Sequence, residues 1–425
     1  MKKNNSILSK KIVLYYSLLA IPLAVIGLPL YIYLPTFYTT TVGLNIETVG
    51  LIIFLARLSD VFTDPYFGYL SDKSIEYFNS RKPIMILGSI ILICSFYALI
   101  NPHLEFPKFW LLTFSILVYI GWSMINIPYL TWSSEITQKY EEKTFLNTSR
   151  ELFTIIGILI ALLIPYLYKI SDDFEKTLEV LYISFLILFI PLFFVTLKTI
   201  QITTNTKAEK YSLKNLKNIY TNMNELKYIQ TGYFLNNLAN AFPATLFLLF
   251  IEFVIQEKDS GGMVLILYFF SGIIALPTWN ILSNKIGKKK AWISSIVLAS
   301  TSFMFVPFLE AGDLNAFIII SLISGLSLGA DMALPTSIQS DLVQKSKNYE
   351  SNISGLLFGI WTMITKFSLA LAIALSFGIL GLFEFDASNP SLDSLVVLSF
   401  LYGFFPIVLK VIALFFINKY RDFHS

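Results

Sequence analysis

Arg57-Leu58-Ser59-Asp60-Val61-Phe62-Thr63-Asp64-Pro65 sets a cation and two carboxylates inside a run that is otherwise apolar enough to sit in lipid. A charged side chain near the centre of a bilayer costs roughly 2.5–3.5 kcal/mol on insertion scales, so ionisable residues at that depth line a pathway or a binding site by default. On an α-helix Asp60 and Asp64 share one face about a turn apart, and Arg57 extends the stripe. Two acids this close cannot both stay ionised in a dry site, so they share a proton or close around a metal cation. Arg57 has a plainer reading beside this one, as a structural partner of Asp60 within the helix.

Composition makes the surroundings a membrane. Of the 425 residues, 55% are apolar and 14% are charged; a soluble domain carries about a quarter charged residues. The mean hydropathy is +0.68. Apolar runs of about twenty residues, the length that spans a bilayer, recur along the whole chain. Lys2, Lys3, Lys10 and Lys11 before an apolar run imitate a secretory signal, but the run from 12 to 38 is too long and lacks a small-residue cleavage site, so it is expected to be the first span. Cys94 is a lone cysteine within an apolar segment, and His103 and His424 are too few for a histidine metal site or triad. No cofactor is expected.

Twelve spans are predicted, an all-α integral membrane protein. The first six run near 12–38, 45–71, 83–101, 107–136, 145–168 and 177–198, and the second six near 228–255, 262–283, 289–309, 315–343, 352–383 and 394–418. Between them lies a polar, basic stretch. The domains are therefore 1–198, a bundle of six helices; 199–227, a central linker; and 228–425, a second bundle, the division of two half-transporters. Lysine and arginine crowd one side of this topology, from Lys73, Arg81 and Lys139 to Lys207, Lys210 and Lys285, whereas the other side holds Lys108, Lys169, Lys176 and Lys258. The bias places both termini and the linker in the cytoplasm of a multi-pass protein of the cell membrane. Because the basic residues are scattered over separate loops, the net charge of +3 is no argument for nucleic acid.

The two halves echo each other at their tightest loops. Gly68-Tyr69-Leu70-Ser71-Asp72-Lys73, followed by Arg81-Lys82-Pro83, joins the second and third spans; Asn280-Ile281-Leu282-Ser283-Asn284-Lys285, followed by Gly287-Lys288-Lys289-Lys290, joins the eighth and ninth. Both resemble the repeated cytoplasmic loop of the major facilitator superfamily. That resemblance implies close helix approach at Gly68 and a gating latch built from Asp72, Lys73, Arg81 and Lys285.

A closer resemblance lies in the first half. Ala56-Arg57-Leu58-Ser59-Asp60-Val61-Phe62-Thr63-Asp64-Pro65 with Gly68 is similar to the second-helix signature of the glycoside, pentoside and hexuronide cation symporters, the melibiose permease family. Asn126-Ile127-Pro128-Tyr129, Glu135 and Arg150 fall at matching places. The resemblance covers nearly the whole chain and implies that Asp60 and Asp64 hold sodium, lithium or a proton, with Thr63 and Ser123 completing the site. Na+, if it is the coupling ion, would be the metal at Asp60 and Asp64. The sugar-gripping acids of melibiose carriers fall at Ala24 and Asn126 here, so the cation half of the site is kept and the sugar half is altered. Trp122, Asn126, Arg150 and Lys366 are expected to contact substrate or couple it to the ion.

The second half carries further intramembrane polar groups. Asn236 and Asn240 share a face ahead of Pro243, as cavity lining or as interhelical glue. Asp331 is expected as a partner for Lys366. Gly325 and Gly329 form a small-residue packing face, Asp341 is a loop latch, and Lys410, about two turns from the end of the last span, is expected to snorkel to the headgroups.

The leading expectation is a secondary active transporter, a monomer working by alternating access. Its partners are a small sugar-like solute, a coupling Na+ or H+ and the lipid bilayer. Relatives of such symporters also carry amphiphiles, and with both sugar-gripping acids replaced a lysolipid is the alternative cargo. Asp60 and Asp64 also match the D-x-x-x-D spacing of intramembrane prenyltransferases, but those enzymes need a second aspartate-rich motif, and Asp331 and Asp341 lie ten apart. An enzyme is not expected.

Overall fold

A chain in hydrocarbon must satisfy its backbone N–H and C=O groups internally, and the apolar runs do so as helices. The computed structural model describes residues 8–168, 170, 173–202, 213–347, 353–386 and 390–422. Lys2, Lys3, Lys169, Lys207 and Lys210, which belong to the charge bias, and residues 203–212 of the central linker lie outside them. The helices in the first half are α1 (Lys10–Leu18), α2 (Ala20–Thr40), α3 (Ile46–Phe78), α4 (Lys82–Ile100), α5 (Pro107–Glu135), α6 (Tyr140–Leu167) and α7 (Phe174–Thr199). Those that follow are α8 (Leu213–Asn222), α9 (Asn224–Leu249), α10 (Gly261–Ile286), α11 (Lys288–Phe303), α12 (Leu314–Ser346), α13 (Ser354–Leu382), α14 (Leu392–Ser399) and α15 (Phe405–Lys419). Leu19 keeps helical backbone angles between α1 and α2, so the pair forms one span, and a π turn at Phe400–Phe404 joins α14 to α15 into the last.

Eleven described spans are long and apolar enough to cross a bilayer. The remaining one is α3, 33 residues long, which Arg57, Asp60, Asp64 and Asp72 exclude from that apolar set. Its helix runs on to Phe78, past the predicted end at 71, and carries Asp72 and Lys73 beyond the apolar stretch. The short helix α8 was not predicted in the polar linker. It forms because Ile219 and Met223, a turn apart, both find burial.

The chain divides into two compact units: Met1–Leu216 with Val343–Met363, and Lys217–Leu342 with Ile364–Ser425. The core of the first is a cluster including Tyr16, Tyr38, Phe96, Leu111, Trp132 and Phe185. Two of its buried hydroxyls reach carbonyl oxygens far along the chain, Tyr38 donating to Leu99 at 3.0 Å and Thr196 to Tyr15 at 2.7 Å. In the second unit Phe250 stacks on Tyr402, ring centroids 4.1 Å apart, within a cluster that includes Phe242, Phe317 and Leu398.

Small residues fix how closely the helices approach, as expected where lipid offers no hydrophobic drive between them. A Cβ on Gly121 would sit 2.6 Å from the backbone nitrogen of Leu92, and one on Gly88 would sit 2.6 Å from Met124 Cβ, so α4 and α5 touch at backbone level. Gly329 lies against Leu276 and the Gly272 carbonyl in the same way, and Gly325 against Tyr268, as the small-residue face of α12 predicted. Gly121→Leu is expected to force α4 from α5, at about 1–3 kcal/mol or more, and to lower the thermal unfolding midpoint in detergent. Gly262→Leu, at a position with nothing within 4 Å, is the control that should leave it unchanged.

Candidate functional site

The close α4–α5 contact sets the face of α5 that carries Ser123, and the i, i+4 spacing on α3 brings two acids to it. Asp60 is 6% and Asp64 0% exposed. Ser123 Oγ lies 3.0 Å from Asp60 Oδ1 and 2.7 Å from Asp64 Oδ1. A serine hydroxyl has one hydrogen and can donate to only one of the two oxygens. The second short contact calls for a proton on a carboxyl or a cation beside both oxygens. Thr63 donates to the Asp60 carbonyl oxygen at 3.2 Å, which spends its hydrogen and leaves lone pairs on its oxygen. Pro65 brings no N–H to its turn, so the Val61 carbonyl one turn back loses its usual helical donor beside the two acids. No group of three His, Cys, Asp or Glu side chains is placed to hold a metal among the described residues. Two carboxylates and a hydroxyl offer oxygen ligands for a cation or a place for a proton.

Around this centre, Trp122 and Asn126 of α5 are half-buried, and the Trp122 ring packs 3.4 Å from where a Cβ on Gly27 would stand. Arg150 does not snorkel. It is buried and ion-paired with Glu151, its Nε donating to Glu151 Oε1 at 3.1 Å. Tyr16 and Tyr129 lie with ring centroids 4.7 Å apart and hydrogen-bond each other's carbonyl oxygens.

The end of α3 carries a second cluster. Asp72 is buried and accepts from Arg81 Nη2 at 2.8 Å and from the backbone N–H groups of Gly355 and Leu356 at 2.8 and 2.9 Å. Those amides open α13, so the carboxylate meets a helix N-terminus, where free N–H groups and the helix dipole both favour negative charge. Arg81 also donates to Ser71 Oγ at 2.7 Å and to both oxygens of Glu135, at 2.7 Å from Nη2 and 3.1 Å from Nε. Burial alone would lower the Arg81 pKa, but the Glu135 and Asp72 charges outweigh it and hold the pKa above its ordinary value. Gly68 and Gly355 meet backbone to backbone, since a Cβ on either would strike the carbonyl oxygen of the other. Gly359 lies equally close to the Asp64 carbonyl. Lys73 stands apart from this cluster, over the Tyr69 and Tyr77 rings at 5.8 and 5.7 Å.

In the second unit Lys410 is 4% exposed, against the expectation of a snorkelling anchor. Its ammonium lies 2.6 Å from Asn240 Oδ1, 3.0 Å from Asn236 Oδ1 and 3.5 Å from Asp331 Oδ2. Lys410, which sequence reasoning had sent to the membrane surface, is thus the cation placed on Asp331. Lys366 is half-buried on α13. Lys288 pairs with Asp341, while Lys285, the expected gating cation, is exposed.

A family model described as MFS/sugar transport protein matches residues 15–421. The chain belongs to this family, within the major facilitator superfamily. It is 21% identical over 409 residues to an uncharacterized symporter, YnaJ, of Bacillus subtilis, covering 92% of this chain and 87% of that one. It is 20% identical over 377 residues to the glucuronide carrier protein homolog of Escherichia coli, covering 84% and 80%. Identity to a sodium-dependent lysophosphatidylcholine symporter, 1-A, of Danio rerio is 21% over 399 residues, covering 84% and 74%. The crystal structure of a bacterial homologue of the iron transporter ferroportin superposes with a TM-score of 0.72 at 12% identity, covering 96% of this chain and 98% of that one, a likeness of fold alone. The chain is a multi-pass secondary transporter of the glycoside and hexuronide symporter type, and not an enzyme.

Sequence reasoning missed the partners of this major facilitator's buried charges. Glu151 sits beside Arg150 and reads as one more charge at a helix end. Lys288 is hidden among four nearby lysines, although the repeat could have found it: Arg81 precedes α4 and meets Glu135 at the end of α5, as Lys288 opens α11 and meets Asp341 near the end of α12. Arg81→Met is expected to cost about 3–5 kcal/mol by leaving Asp72 and Glu135 buried without their cation. Arg81→Lys should recover only part of it, because one ammonium cannot serve Ser71, Asp72 and both Glu135 oxygens; thermal unfolding of the purified variants measures both.

Proposed function

We propose that this transporter is a cation-coupled symporter of a sugar-like solute, with Na+ or H+ held by Asp60 and Asp64. The observation that carries the reading is the single Ser123 hydroxyl set between two buried carboxylate oxygens at 2.7 and 3.0 Å. Such a site loses one unit of negative charge when Na+ or a proton enters, and a conformation that favours the bound form gains population by loading it. Thr63 and the Val61 carbonyl supply further oxygens. Trp122, Asn126 and Lys366 are proposed substrate contacts, and Arg150 couples them to the core of the first unit. Asn236, Asn240 and Asp331 are proposed to couple through the position of Lys410, on which their oxygens converge, and not by taking up an ion themselves. Gly68, Asp72 and Arg81 form the gating latch, with Lys73 and Lys285 at its edges. The protein works in the plasma membrane as a monomer, with 1–198 and 228–425 as its two half-transporters and both termini cytoplasmic.

A lysolipid is the second reading of the cargo, and one packing detail favours it. Ala24, where melibiose-type carriers are expected to have an acid, is crowded by α6: a Cβ on Gly157 would stand 2.8 Å from Ala24 Cβ and 2.5 Å from the Ile21 carbonyl. This face of α2 is thus apolar and set against the α6 backbone. The relative named as a sodium-dependent lysophosphatidylcholine symporter is consistent with an amphiphile.

Uptake by proteoliposomes of glycosides, pentosides, uronides and lysolipids, with sodium and pH gradients imposed separately, tests both readings. Accumulation of one class driven by one gradient is expected; uptake indifferent to both gradients sinks the symport proposal. Asp64→Asn should remove the cation dependence while the protein still inserts and folds. A variant that still concentrates solute against its gradient rules Asp64 out as the coupling group.

A further inference from the structure

The polar network of the second unit is complete in a way that identifies its chemistry. Lys410 projects from α15 between α9 and α12 and offers three N–H hydrogens. Three oxygens meet them: the amide oxygens of Asn236 and Asn240 and the carboxylate of Asp331. Asp331 is in turn held by Trp292 Nε1 at 3.0 Å on one oxygen and by Asn240 Nδ2 at 3.0 Å on the other, so Asn240 donates to the acid and accepts from the lysine. Two carbonyl oxygens and one carboxylate converging on a point are the donor set of a hard monovalent cation, with one negative charge and neutral dipoles to fill the shell.

We infer that Asn236, Asn240 and Asp331 form a cage for an ammonium-sized monovalent cation, and that the second unit fills it permanently with the tethered ammonium of Lys410. Four consequences set this apart from an ordinary ion pair. The occupant is covalently attached, so the cage takes up no ion from solution while Lys410 is present. Trp292 and Asn240 keep the Asp331 carboxylate oriented with or without the lysine, so removing Lys410 leaves a formed cage and not a collapsed one. The cage selects by size, accepting small cations and refusing bulky ones. Its affinity comes from the carboxylate, so neutralising Asp331 abolishes it.

Chemical rescue tests the inference on the full chain in detergent. Lys410→Ala should unfold at a lower temperature than the wild type, and ammonium or methylammonium should raise its midpoint with the logarithm of their concentration, as a ligand of the folded state does. N-methyl-D-glucamine at equal ionic strength should not. Asp331→Asn combined with Lys410→Ala should lose the methylammonium response; because both proteins keep Asp60 and Asp64, any cation response of the first unit cancels between them. A Lys410→Ala protein that ignores methylammonium, or a double variant that responds equally, overturns the cage. Should Lys410→Ala not fold, Lys410→Met and its combination with Asp331→Asn decide: recovery of folded protein only in the pair supports a charge-matched cage, and a pair no better than the single variant overturns it. The readout is stability, so its outcome does not depend on which solute is transported.

Discussion

A carboxylate buried among apolar helices must be met by donors or by a cation, and the helices of this protein are arranged around that demand. Four acids meet it in three ways. Asp72 is satisfied by the guanidinium of Arg81 and the first amides of α13, a mixture of side-chain and helix-end donors. Asp331 is satisfied by Trp292, Asn240 and Lys410, all from its own unit. Asp60 and Asp64 share one serine hydroxyl. Donors that fully serve a carboxylate favour its ionised form and hold it there. The Ser123 hydroxyl set between the two carboxylates is the geometry on which the proposed coupling role of the pair rests.

Glycines make these arrangements reachable. Interhelical hydrogen bonds of 2.7–3.0 Å between short side chains require backbones almost in contact, and Ser123 and the aspartates are short. Gly88 and Gly121 bring α4 onto α5 on one side of the site, while Gly355 and Gly359 bring the start of α13 against Gly68 and Asp64. Sites and packing are therefore not separable here. The residue that would make α3 a better generic membrane helix at Gly68 would also hold the α13 amides away from Asp72.

Much of this was legible because charge in an apolar run is conspicuous. The Asp60–Asp64 pair and the helices themselves followed from periodicity and hydropathy, and Ser123 from family resemblance, since nothing in its local sequence marks it. What stayed hidden was facing. Lys410 sits two turns from the end of its span, where lysines commonly snorkel, and no local pattern says that α15 turns it inward against α9. That orientation follows from a contact far away in sequence, with Gly232 opening room for Ile417 and the backbone of Ala413. Glu151 and Lys288 were hidden for the opposite reason, standing in runs of charge where position alone cannot tell which member is buried.

On the proposed reading, coupling and cargo recognition are carried by different constraints. The cation pair depends on two acids, a hydroxyl and the glycines that seat them, all of which are local to the first unit. Cargo recognition depends on which side chains α2 and α5 can present. On α2 Ala24 brings no acid and faces α6 at Gly157, and on α5 Asn126 offers an amide that can donate and accept but brings no charge. On that reading the residues proposed to hold the ion can stay as they are while those proposed to meet the solute change, because the two sets share no side chain.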